Sequence, residues 1–124
     1  MKRSLLFCIF ATVAFGSILR PAIADKKVIY FTHEPGRWHK YTAQKEIFRQ
    51  IAKKAGWEVT VMTGEHEAQI AKLRTPDFAK GYDAIVYNFC FAKSRDLEAQ
   101  ANLVAQTREH GVPAARTGYA QVFV

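Results

Sequence analysis

Three short apolar runs set the terms for this chain: Lys27 to Thr32 (Lys-Val-Ile-Tyr-Phe-Thr), Trp57 to Met62 (Trp-Glu-Val-Thr-Val-Met) and Tyr82 to Phe89 (Tyr-Asp-Ala-Ile-Val-Tyr-Asn-Phe). The first and third are continuous β-branched and aromatic stretches, the composition of strands buried on both faces in a parallel sheet. The second alternates and closes at Thr63-Gly64. A helical pattern follows each. Glu34-Pro35-Gly36-Arg37 is turn chemistry, after which Ile47, Phe48, Ile51, Ala52 and Ala55 recur on one helical stripe that Gly56 stops. Ala68, Ile70, Ala71 and Leu73 predict a short second helix broken at Thr75-Pro76, because the residue before a proline is pushed out of helical geometry. Ser94 is the expected N-cap of a third helix presenting Leu97, Ala101, Val104 and Ala105 on one face and ending at His110-Gly111. Strands alternating with helices at this spacing predict a doubly wound α/β sheet with right-handed crossovers.

The rhythm breaks near the end. After Gly111-Val112-Pro113-Ala114 a fourth apolar strand is expected, yet Ala115-Arg116-Thr117-Gly118 is small and polar. Tyr119 to Val124 is β-prone and is the expected makeshift edge strand.

At the other end, Met1-Lys2-Arg3 is a positive n-region, Ser4 to Leu19 is an apolar stretch of 16 residues, and Pro21-Ala22-Ile23-Ala24 supplies the small-x-small pattern of a peptidase site. This reads as a signal peptide over 1–24, cleaved after Ala24, leaving one domain over 25–124 in the periplasm or outside the cell. A spanning helix needs about 20 apolar residues, more than the run provides before Arg20 and Pro21. No membrane association is expected after cleavage. Loss of Lys2, Arg3 and Arg20 lowers the formal charge by three, from +7 to +4. The remaining basic residues are interspersed with acids, which is the pattern of solvated helix faces and not of a nucleic-acid stripe. Cys90 is the only cysteine after the leader, so no internal disulfide can form.

In open parallel sheets ligands bind outside the carboxyl ends of the strands, so the residues just after each strand are the candidates. These are His33, Glu34, Arg37 and His39 after the first run, Gly64, Glu65 and His66 after the second, and Asn88 with Cys90 at the third. His33 and His39 are the candidate catalytic acid–base groups, because imidazole titrates near neutral pH. Their spacing across a Pro-Gly turn matches no standard metal motif, and no metal is assigned. Asn88 offers an amide donor and acceptor to a sugar hydroxyl, and Arg37 a charge to an anionic or sugar ligand. Cys90 lacks a strained nucleophile elbow, standing between Phe89 and Phe91, and is expected to be packed and inert. No phosphate-cradling glycine loop follows the first strand. No nucleotide or other cofactor is expected.

Val28 to His33 (Val-Ile-Tyr-Phe-Thr-His), Trp38-His39-Lys40, Trp57 to Val61 and Tyr82 to Asn88 together resemble the ThuA-like (trehalose-utilization) family, over Lys26 to about Pro113. The resemblance implies a class I glutamine amidotransferase-like fold, flavodoxin-like in its three-layer layout, and a link to carbohydrate metabolism without amidotransferase chemistry. It implies a sugar or sugar derivative as the partner. Family members extend over about two hundred residues or more, continuing past the Gly-Val-Pro segment into a buried strand with another pocket histidine. The departure after Ala114 makes this chain an expected N-terminal portion of such a domain, truncated or frame-shifted. The alternatives to an enzyme are a non-catalytic carbohydrate-binding or accessory module and a non-functional fragment.

Overall fold

The computed structural model describes residues 25–34, 36, 39–91 and 94–116. The expected signal segment 1–24, Arg37, Trp38 and the β-prone stretch 119–124 lie outside these residues. Four parallel strands, β1 (Lys27–His33), β2 (Glu58–Gly64), β3 (Ala84–Asn88) and β4 (Ala114–Arg116), pair in the order β2-β1-β3-β4. Helices α1 (Tyr41–Ala55), α2 (His66–Leu73) and α3 (Leu97–Arg108) make the connections. The chain therefore has the flavodoxin-like α/β architecture, a parallel sheet between two helical layers.

Strand alternation sorts the core into two halves. Ile29, Phe31, Ile85, Tyr87 and Phe89 face one way and pack on Ile70 and Leu73 of α2 and on Ala99 and Leu103 of α3. Val28, Tyr30 and Val86 face the other way, toward Phe48 of α1. A β-strand sends successive side chains to opposite faces, so continuous apolar runs are what a sheet covered on both sides requires. At the amino ends, the Asp83 carboxylate accepts from the Lys27 backbone N–H at 2.8 Å and from Lys26 Nζ at 3.2 Å, fastening β3 to β1. Those bonds hold the Asp83 carboxyl below its ordinary pKa.

Several local expectations are corrected. The N-cap of α3 is Asp96, not Ser94: Asp96 accepts from the Ala99 N–H at 2.8 Å and from Arg74 Nε at 2.8 Å, while Ser94 is buried. The helix face is also shifted. Leu97 and Val104 are 77% and 50% exposed, and the buried side chains are Ala99, Leu103 and Gln106. That set has the same i, i+4, i+7 spacing but starts two residues later, roughly the opposite side of an α-helix. Gln106 conceals the phase, because a polar residue occupies a core position by donating to the backbone carbonyls of Pro76 and Asn102.

Helix α1 begins at Tyr41 and buries Tyr41 and Ala52, leaving Ile47 and Ile51 more than half exposed. Trp57 and Tyr82 fall outside β2 and β3. A fourth strand forms at Ala114–Arg116 although its residues are exposed and carry no large apolar side chain, since ladder pairing to Ile85, Val86 and Tyr87 uses backbone groups alone. Phe78 and Ala79, in the connection after α2, are core residues.

Candidate functional site

The strand order reverses direction at β1: the chain steps from β1 outward to β2 on one side, and β3 lies on the other. The carboxyl ends of β1 and β3 thus flank the topological switch point, where open α/β sheets leave a crevice. His33 closes β1 at this point, and Asn88 closes β3.

His33 is boxed by aromatic rings. Its ring centroid lies 5.2 Å from Phe91 in an edge-on arrangement and 5.8 Å from Tyr41, and its side chain is 20% exposed. Nε2 stands 3.3 Å from Glu65 Oε2. In the tautomer that carries its hydrogen on Nε2 the ring donates to that carboxylate and Nδ1 is the acceptor. Glu65 is 70% exposed, so this contact orients the ring more than it stabilises the fold.

His39 and His66 join the cluster through the same two rings. His39 lies 5.3 Å from Tyr41, and His66 lies 4.8 Å from Phe91 with Nδ1 2.9 Å from Glu67 Oε1. Tyr41 and Phe91 are both 4% exposed and were not singled out by sequence reasoning. Their position is legible only from tertiary packing, since neither falls on a repeating stripe. Burial, with the Cys90 thiol beside it, pushes the Tyr41 phenol up against a hydrogen bond with the Cys90 backbone. Cys90 itself is partly exposed, not fully packed as expected.

Glu34 is the most firmly held charge nearby. Its carboxylate accepts from Lys45 Nζ at 2.6 Å and from Thr63 Oγ1 at 2.8 Å, and is 13% exposed. Burial works to raise its pKa, but the bonds from Lys45, Thr42 and Thr63 outweigh that and keep it below the ordinary value. This ties the β1 turn to α1 and β2 at once. Gly36, at φ 52°, completes the turn: a Cβ there would collide with the Tyr41 ring and the His33 carbonyl.

Asn88 is 2% exposed, and its Nδ2 donates to the Tyr30 hydroxyl at 2.6 Å. In this geometry its donor fastens β3 to β1. The register puts Thr63, Thr32 and Asn88 side by side across β2, β1 and β3, on the face toward α1. That row is polar, where the preceding residues Met62, Phe31 and Tyr87 are apolar or aromatic and face α2 and α3.

Among the described residues no three His, Cys, Asp or Glu side chains converge as metal ligands. No helix of the described residues is long and apolar enough to cross a membrane. A groove of about 470 Å³ between α3 and β4, lined by Leu103, Val104 and Ala114 among others, lies away from the histidines. A hollow of about 390 Å³ lined by Tyr82 and His110 is likewise separate from His33, His39 and His66. Fold and switch-point cluster together define a flavodoxin-like α/β domain with its candidate site at the carboxyl ends of β1, β2 and β3. The chain matches no family model, no curated protein and no solved structure.

Proposed function

We propose that the protein is an exported ThuA-like domain that binds and transforms a sugar or sugar derivative such as trehalose at the carboxyl ends of its strands, with His33 as general base. The observation that carries this reading is the placement of His33: it ends the strand at the switch point, its ring is held by Tyr41 and Phe91, and Glu65 faces Nε2. A base needs a fixed ring and an unprotonated nitrogen, and in the tautomer that donates from Nε2 to Glu65 that nitrogen is Nδ1. His39, across Tyr41, is the second acid–base group. Arg37, between them in sequence, offers its charge to an anionic group or hydroxyl of the ligand. Asn88 contributes from beneath, by holding the β3 end against Tyr30 and by orienting a hydroxyl that reaches the polar row.

Titration of the ¹⁵N-labelled protein with trehalose tests the reading. Shifts confined to residues around His33, His66 and Phe91 are expected, and a wild-type spectrum that does not move sinks it. His33→Ala separates enzyme from binder: an enzyme keeps most of its affinity and loses turnover, while a carbohydrate-binding module shows no turnover in either protein. Export is tested on the secreted product, whose first residue is expected to be Asp25; a product that keeps Met1 counts against it.

A further inference from the structure

The outward side of α3 carries a stripe that the fold does not use. Leu97, Ala101, Val104 and Arg108 recur at i, i+4, i+7 and i+11, the spacing that lines one seam of a packed helix pair. All four are exposed, because the opposite side of the helix, Ala99, Leu103 and Gln106, is the side that rests on the sheet. Leu97 opens the helix behind the Asp96 cap and, at 77%, is the most exposed large apolar side chain among the described residues. Further along the same helix lies the groove of about 470 Å³ shared with β4. Its lining includes the buried Tyr87 and Leu103 and the exposed Val104, Thr107 and Arg108. Val104 and Arg108 stand about 10 and 16 Å along the axis from Leu97. One helix therefore bears an apolar knob near its start and an apolar hollow toward its end.

A rigid helix cannot place its own knob in a hollow that far along its axis, but a second helix running the opposite way can. Antiparallel pairing of α3 with α3 of a second copy, about a two-fold axis at the small residue Ala101, sets each Leu97 against the other copy's hollow between Val104 and Arg108. The contact is isologous, each copy giving a knob and receiving one. Charge agrees with this arrangement. Glu98 lies in the first turn and Arg108 in the last, and Arg108 makes no ion pair among the described residues. Antiparallel order brings Glu98 of each copy toward Arg108 of the other, whereas parallel order sets like charge beside like. We infer that α3 is the surface through which two copies of this chain associate, by mutual insertion of Leu97 into the groove between α3 and β4. A helix of 12 residues is about 18 Å long, so the contact falls short of a standard interface of about 1,600 Å² and the dimer is weak and concentration-dependent. The groove lies away from His33, His39 and His66, which makes the inference independent of the sugar reading.

Sedimentation velocity of the purified protein from about 10 μM to about 1 mM spans the range of a weak association, and a shift from monomer to dimer with rising concentration is expected. Leu97→Glu puts an acid in the first turn of a helix, where the dipole favours it. Its melting temperature at low concentration is therefore expected to match the wild type, while association weakens at least about a hundredfold, because each dimer loses two knobs. Arg108→Glu is expected to weaken association by itself, and Glu98→Arg combined with Arg108→Glu to recover most of the loss. A wild type that stays monomeric at the highest concentration overturns the inference. So does a dimer equally tight in Leu97→Glu, which assigns association to another surface. A monomeric wild type with a lowered melting temperature for Leu97→Glu shows that the chain covers the stripe itself, and this also overturns it. Failure of the double exchange to recover the loss overturns the antiparallel arrangement.

Discussion

The two faces of the sheet at its carboxyl end are built from neighbouring residues of the same three strands and have opposite characters. Toward α2 and α3, Phe31 meets Phe78, Tyr87 and Phe89 at centroid distances of 5.4, 5.8 and 6.4 Å, a cluster of edge-on and tilted rings with no exposed member. Toward α1, one residue further on, stand Thr63, Thr32 and Asn88. Aromatic rings interlocked in this way contribute large burial plus a specific geometric term. A polar row in the same layer contributes little to stability and offers hydrogen bonds instead. Period-two alternation thus lets one stretch of strand hold the fold with one set of side chains and present chemistry with the other.

Phe31→Ala puts the heaviest load on that comparison. Phe31 is fully buried at the centre of the aromatic face, and truncation is expected to cost about 4 kcal/mol, a large part of the stability of a small domain. Urea unfolding measures it. A loss below about 1 kcal/mol would mean that the aromatic face does not carry the core.

Gly36→Ala tests the boundary between the faces, where the β1 turn brings Tyr41 against His33. Alanine at φ 52° is strained, and its Cβ meets both the Tyr41 ring and the His33 carbonyl. The expected cost is about 2 kcal/mol, with displaced His33 and Tyr41 resonances. If the stability falls and those resonances stay in place, the turn is structural only and does not position the site.

Lys45→Met acts on the polar face alone. It removes one partner of Glu34 and is expected to cost roughly 1.5 kcal/mol at neutral pH. Because the folded-state pKa of Glu34 is depressed, the bond's contribution is present above the unfolded-state value and is lost as pH falls through the lower folded value. Wild type and variant should therefore converge in acid, and the variant's stability should depend less steeply on pH. Asp83 and Asp96, whose carboxyls are also held below their ordinary values, give both proteins a common acid limb. An equal gap between the two proteins at every pH would show that Lys45 works through packing and not through Glu34.

The sequence made the three buried strands and their alternation with helices legible because buried strands have a compositional signature that needs no knowledge of their partners. The candidate positions were legible too, since the carboxyl ends of three recognised strands locate His33, Asn88, Glu65 and His66. What groups them was not. Tyr41 and Phe91 look like ordinary aromatics until helix α1 and the loop after β3 are seen to close on His33 from two sides. The phase of α3 was misread because Gln106, a polar residue, takes a core position that hydrophobic periodicity assigns to Val104 and Leu97. Backbone pairing of Ala114 to Arg116 was invisible for the converse reason, since a short edge strand needs carbonyls and amides but no apolar side chains.

Tyr87→Phe carries the smallest expected effect and separates the two faces most sharply. The Tyr87 hydroxyl is buried without a hydrogen-bond partner among the described residues, and burial drives its phenol pKa far up. Removing an unbonded hydroxyl while keeping the ring costs nothing in hydrogen bonds and relieves a desolvated group, so stability is expected to change by less than about 0.5 kcal/mol or to rise. Trehalose titration is expected to be unaffected, because this hydroxyl belongs to the face toward α2 and α3. Asn88→Leu makes its change one residue further on, on the face toward α1, and there the affinity is expected to fall, because Asn88 orients a ligand hydroxyl in the proposed site. Parallel behaviour of the two variants would erase the distinction: equal losses of affinity would extend the site through the sheet, and equal indifference would take Asn88 out of it. Divergence keeps chemistry on one face and cohesion on the other.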